Sequence, residues 1–166
     1  VSSVEVTSAG SGYSTIPTVS FTGGGGSGAT ATATAKVVTA SIATAGSDYV
    51  VGDTFTLNIG SGVEAVLRIA SVGTGGGVAS VQVVSGGSYT GISASLSDFT
   101  LTSNTGTGLE VDLDLGVNAV TITNGGSGYT TAPTVDLDGN AVGDVTVASA
   151  GFLVKNEEHY EDLILA

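Results

Sequence analysis

The chain has no cysteine, no methionine and no tryptophan, and only two prolines, five tyrosines and four phenylalanines in 166 residues. Without cysteine there are no disulfides, so folding calls for no oxidising compartment, although the chain is free to work in one. Cations are nearly as scarce. Three Lys and Arg face fifteen Asp and Glu, a formal net charge of −12. That charge repels nucleic acid and anionic membranes and argues against both as partners. Salt screens the self-repulsion and favours solubility. No apolar run approaches the ~20 residues of a membrane span. No basic n-region precedes an apolar stretch, so the sequence predicts no signal peptide. A single histidine, His159, and no cysteine leave too few ligands for an ordinary zinc site. The same scarcity removes the usual base of a nucleophilic triad, and no enzyme is expected.

What the chain has is glycine, 27 residues of it, and abundant Ser and Thr. Its apolar fraction, 41%, is too high for a simply disordered polymer. The length suits one domain or a row of small units. Tyr13, Tyr49, Tyr89 and Tyr129 are separated by 36, 40 and 40 residues, and each follows a glycine by three: Gly10, Gly46, Gly86 and Gly126. Pro17 and Pro133 close the first and fourth of these corners, where the second and third carry Asp53 and Ser93. Around each corner lie three short runs, such as "SVEVTSAG", "TVSFTG" and "ATATATAKV". The spacing predicts four tandem units near 1–37, 38–77, 78–117 and 118–154, with a tail at 155–166.

The runs alternate with period two, which predicts an all-β fold of short strands, ~5–7 residues each. Val111, Leu113 and Leu115 fall on one face, with Asp112 and Asp114 on the other. In "GATATATAKV", Ala29, Ala31, Ala33 and Ala35 share a face opposite Thr30, Thr32 and Thr34. Methyl groups contribute little transfer energy but permit close approach. Two readings fit that face, a thin sandwich layer or a subunit contact.

The Gly-x-x-Tyr corner has two readings as well. Glycine supplies positive φ for a sharp turn, and tyrosine covers a small core with a large ring while keeping a polar tip. Alternatively the rings are exposed as a platform. In that case Tyr49 and Tyr89, with Asp53, would contact a surface glycan or a partner. The carboxylates Asp112/Asp114 and Asp136/Asp138 alternate along single strands and read as wet faces, since glycosidase chemistry needs two carboxyls across a cleft. "TGGGGSG" lacks the lysine of a phosphate loop and reads as a hairpin loop. "DLDGNAVGD" offers Asp136, Asp138, Asn140 and Asp144 as a weak Ca²⁺ candidate, although the twelve-position loop with its terminal glutamate is absent. No other cofactor is expected.

After Gly151 the style changes to "FLVKNEEHYEDLILA". Asn156 fits a helix N-cap with Glu157 and Glu158 behind it, and Tyr160, Leu163 and Ile164 fall on one side. With Leu165 they make an apolar surface for docking, on the chain's own domain or on a neighbour.

The strings "VTSAGSGYSTIPTVSFTGGGGSGATATATAKV" and "AVTITNGGSGYTTAPTVDLDG" resemble tandem repeats in structural proteins of large tailed bacteriophages, especially those infecting marine cyanobacteria. Positions 4–37 and 118–139 carry the likeness. The middle units match loosely, with Asp48 and Ser88 in place of the second glycine. The resemblance implies a virion structural protein, in a capsid decoration, fibre or tail appendage, and carries no catalytic residues. The expectation is therefore an all-β sandwich, prism or short solenoid whose units complete one another's core. It would act by binding other virion proteins, as a homo-oligomer or on a larger shell. The alternative is a carbohydrate-binding module for a host receptor.

Overall fold

The computed structural model of the chain describes residues 1–102, 105–138 and 146–151. Twelve strands follow one another: β1 (Ser3–Ser8), β2 (Thr18–Thr22), β3 (Ser27–Ser47), β4 (Thr54–Leu57), β5 (Gly60–Val63), β6 (Ala65–Val72), β7 (Val78–Ser85), β8 (Ser88–Ile92), β9 (Phe99–Leu101), β10 (Thr107–Ser127), β11 (Thr134–Asp138) and β12 (Thr146–Gly151). Among the described residues the one other regular element is a 3₁₀ turn at Thr74–Gly76. All the strand pairings are antiparallel. The all-β expectation holds.

The expectation of uniformly short strands does not. β3 and β10 are 21 residues each and pair along their whole length, from Ser27 opposite Ser127 to Ser47 opposite Thr107. The physical reason is the lack of a turn between successive runs. "ATATATAKV" passes straight into "VTASIATAG", and "GLEVDLDLG" into "VNAVTITN". The limits expected near 37/38 and 117/118 fall inside these two strands.

A ribbon this long must twist and bend, and bulges supply both. The register steps past Val38 and Ala43 on β3 and past Asn118 and Thr123 on β10. Each pair of bulges is eighty positions apart, as are the strands themselves, 27–47 and 107–127. The crossings repeat as well. Tyr89 pairs with Ala35, and Tyr13 bridges to Leu115, eighty positions on from Ala35. β7 pairs with β6, and β1 with β12. The halves of the ribbon are thus related by a pseudo-twofold exchange of β3 and β10.

The ribbon is the centre of a five-stranded sheet in the order β5-β8-β3-β10-β9. β4-β6-β7 form a second sheet, and β1-β12 and β11-β2 form two-stranded ones. The inward faces obey period two: Ala33, Ala35 and Val37 on β3, then Leu109, Val111, Leu113, Leu115 and Val117 on β10. Phe55, Leu57, Ile59, Leu67 and Ile69 fill the space against them. Each large buried aliphatic stabilises the fold by ~1.5–3 kcal/mol. The weight is uneven. Among the described residues, positions 1–35 give the core only Tyr13, Ala33 and Ala35, with Pro17 buried as well. Where β10 carries Leu109, Val111, Leu113 and Leu115, β3 carries Ala29, Ala31, Ala33 and Ala35 eighty positions earlier.

Candidate interaction surface

Each corner begins with a glycine because the backbone there turns left-handed. Gly10 and Gly12 have φ of 61° and 78°, Gly46 and Asp48 61° and 63°, and Gly126 and Gly128 65° and 77°. Asp48 takes the place of a glycine because Asp tolerates this region better than most side chains. At Gly86 the pattern departs. Gly87 alone turns left-handed, at φ 71°, and Tyr89 continues into β8. Gly86 instead accepts the amide of Val37 through its carbonyl (2.8 Å).

The tyrosines lie on these turns as lids. Tyr13, Tyr49 and Tyr89 are 2%, 3% and 0% exposed, and Tyr129 is half-buried. The Tyr89 hydroxyl donates to the Leu57 carbonyl (2.8 Å) and accepts from the Ala65 amide (2.6 Å). The Tyr49 hydroxyl bonds in the same way, to the Leu101 carbonyl (3.4 Å) and from the Leu109 amide (3.2 Å). Each hydroxyl ties its ring to both strands of a backbone-paired couple, β4 and β6 for Tyr89, β9 and β10 for Tyr49. They also present no face to solvent, which corrects the alternative reading of Tyr49 and Tyr89 as an exposed platform for a glycan or partner. Asp53 does not stand with them as a contact. It closes its own turn by accepting the Val50 amide (3.1 Å) and the Thr105 hydroxyl (2.6 Å). Pro17 and Pro133 are buried.

Burial raises the pKa of Tyr89. The Ala65 amide opposes that shift and the charge of Glu64 adds to it. Tyr13 is raised by burial and then by Asp136. Both rings therefore hold their protons above the pH, near 10, at which the unfolded chain releases them. The stability this contributes is complete below pH 10 and drains as pH rises toward the folded values. Urea unfolding at about pH 9 and pH 11 is expected to show that loss, with a shallower fall in Tyr89→Phe.

The wet acids of β10 are structural. Asp114 accepts the Gly12 amide (2.5 Å), Asp112 the Asp98 amide (2.9 Å), and Glu110 the Thr44 hydroxyl (2.9 Å). Among the described residues no three His, Cys, Asp or Glu side chains gather as a metal would require. Of the Ca²⁺ candidates, Asp136 and Asp138 sit in β11 opposite Ser20 and Thr18. Asn140 and Asp144 lie outside the described residues, as does the tail with Tyr160, Leu163, Ile164 and Leu165. No helix among the described residues is long and apolar enough to cross a membrane.

Among the described residues a groove of about 630 Å³ opens between β2 and the alanine half of β3, lined by residues 16–19 and 29–34 with Thr90. It offers methyl groups, threonine hydroxyls and a strand edge, and no charged side chain. The alternating Ala-Thr run signals it in the sequence, where alanines stand at positions that hold leucine and valine in β10. That β2 pairs with β11 rather than along this edge carries no such signal, because the pairing depends on residues a hundred positions away.

The chain has a viral relative. Uncharacterized protein VP1 of Micromonas pusilla reovirus (isolate Netherlands/2005) is 33% identical over 121 residues, covering 61% of this chain. The match spans only 6% of that much longer protein. No family model matches the chain, and no solved structure does.

Proposed function

We propose that this chain is a non-catalytic structural module of a virus particle, acting by protein–protein contact as a capsid decoration or as part of a tail or fibre appendage. The observation that carries the reading is the likeness to a viral protein. The resemblance of the corner strings to tailed-phage repeats supports it from the sequence side. The surface supports it physically. A neutral groove of methyls, hydroxyls and backbone suits another polypeptide. The four tandem units and the virion location belong to the same proposal, with oligomerisation or attachment to a shell completing exposed strand edges.

Native particles labelled with a gold-tagged antibody against this chain test it by electron microscopy. Regular gold over the head is expected of a decoration protein, and gold confined to the tail or fibres of an appendage. Bare particles, with the epitope accessible on free protein, would count against a surface role in the virion.

A further inference from the structure

In the half of the ribbon led by β10, a strand closes the outer edge. Phe99 and Leu101 of β9 pair with Val111 and Leu109, and the Leu113 amide donates to the Leu96 carbonyl (2.8 Å). Leu101 is buried there and Phe99 packs on the core. Eighty positions earlier, the same edge of β3 at 29–33 pairs with no strand among the described residues. Pairing on that side is Ala35 with Tyr89. β2 follows the first corner as β9 follows the third, yet it lies along β11, with Thr18 to Thr22 opposite Asp138 to Thr134. The groove is the counterpart of the seat that β9 fills on β10. Ile16 and Val19 wall it, and Ala29, Ala31 and Ala33 line it.

The molecule thus contains a template for what belongs there. Ala29 and Ala31 stand where β10 has Leu109 and Val111, the residues opposite Leu101 and Phe99. The fitting occupant is extended and carries bulky apolar side chains two residues apart. Methyl groups beneath it leave room for side chains at least as large as Phe and Leu. Its charge follows from the chain. No charged side chain lines the groove, and Asp136 and Asp138 lie opposite Ser20 and Thr18 of the wall strand β2. Fifteen acids face three cations in the whole sequence. A second copy of so acidic a chain is repelled, and an apolar strand flanked by lysine or arginine is attracted.

We propose that the edge of β3 at 29–33 binds an extended segment of a basic partner protein by strand addition, with two bulky apolar side chains of that segment over Ala29 and Ala31. This rests on the reading of the chain as a module that acts by protein–protein contact, and it names the kind of partner.

The probe is a synthetic peptide of the β9 sequence Phe99–Leu101 with lysines at both ends, added in excess to the full chain. It is expected to slow amide exchange at 29–33 about tenfold. Affinity should fall about tenfold when glutamates replace the flanking lysines, and about as far in Ala31→Leu, which fills the seat. Unchanged exchange at 29–33 overturns the proposal. So does protection confined to the β10 edge at 109–111, or equal affinity for the two peptides. The exchange measurement uses the native sequence and decides the matter even where Ala31→Leu folds poorly. Failure here is distinct from failure of the virion reading: particles can carry gold while the peptide does not bind, and the peptide can bind a chain that labels no particle.

Discussion

Tyr89→Ala is expected to destabilise the protein by about 4 kcal/mol, in the range for removing a large aromatic from a closed core. Two losses combine. The ring is 0% exposed and leaves a cavity among Leu57, Ala65 and β5. The hydroxyl leaves the Ala65 amide and the Leu57 carbonyl without partners in a place water does not reach, and an orphaned buried group costs ~1–3 kcal/mol. Tyr89→Phe separates the two terms, since it keeps the ring and is expected to cost ~1–3 kcal/mol. Tyr49→Phe should cost less than Tyr89→Phe, because its hydroxyl bonds are longer, 3.2 and 3.4 Å against 2.6 and 2.8 Å. Chemical denaturation of the three variants checks the order. If Tyr89→Phe proves no more harmful than Tyr49→Phe, the hydroxyl bonds are not what ties β8 to its neighbours.

Gly106→Ala should be strongly destabilising although its backbone φ suits alanine. A Cβ there would stand 2.5 Å from both Cγ and Cδ1 of Tyr49 and 2.7 Å from the Ser47 carbonyl oxygen. On the other side of the same ring, Gly46 leaves only 2.7 Å between its own would-be Cβ and Tyr49 Cε2. The tyrosine is thus held between two glycines and cannot retreat. Overpacking of this kind costs ~1–3 kcal/mol or more, and the upper end is expected because Tyr49 also holds Leu109 and Leu101. Gly26→Ala is the control. Its Cβ would press on Tyr129 at 2.5 Å with the same geometry, against Gly126 on the far side. Tyr129 is half-exposed, however, and can swing into solvent. Thermal unfolding should therefore show a clearly larger drop for Gly106→Ala than for Gly26→Ala. Equal drops would mean that the rings yield equally.

Which parts of this could be read from the residues follows from range. Period-two alternation is local, so the inward faces of Leu113 and Ala35 and the all-β class were legible in the chain. The left-handed glycines were too, because a φ preference belongs to the residue itself. Gly26 and Gly106 were not. They matter only because tyrosines from distant corners settle on them, and nothing within a few positions says so. The burial of Tyr49 and Tyr89 was undecided for the same reason, since a ring with a polar tip suits either a lid or a platform. The two long strands were hidden by an assumption that each glycine-bounded run is a separate strand. At 37/38 the runs meet without a breaker, and backbone pairing carries through.

The hydrogen bond from Val1 to Gly125 and the pairing of Ser3 with Gly151 put both flanks of the fold at one end of the ribbon. A longer polypeptide entering at Val1 and leaving after Gly151 therefore carries the ribbon as a spur and not as a link in line. Tension along such a polypeptide falls first on the Val1–Gly125 bond and on the β1–β12 pair. Strands parted from that shared end yield one bond at a time, like a zip. The long pairing of β3 with β10 lies behind those first bonds, and the groove beside β3 keeps its shape until they part.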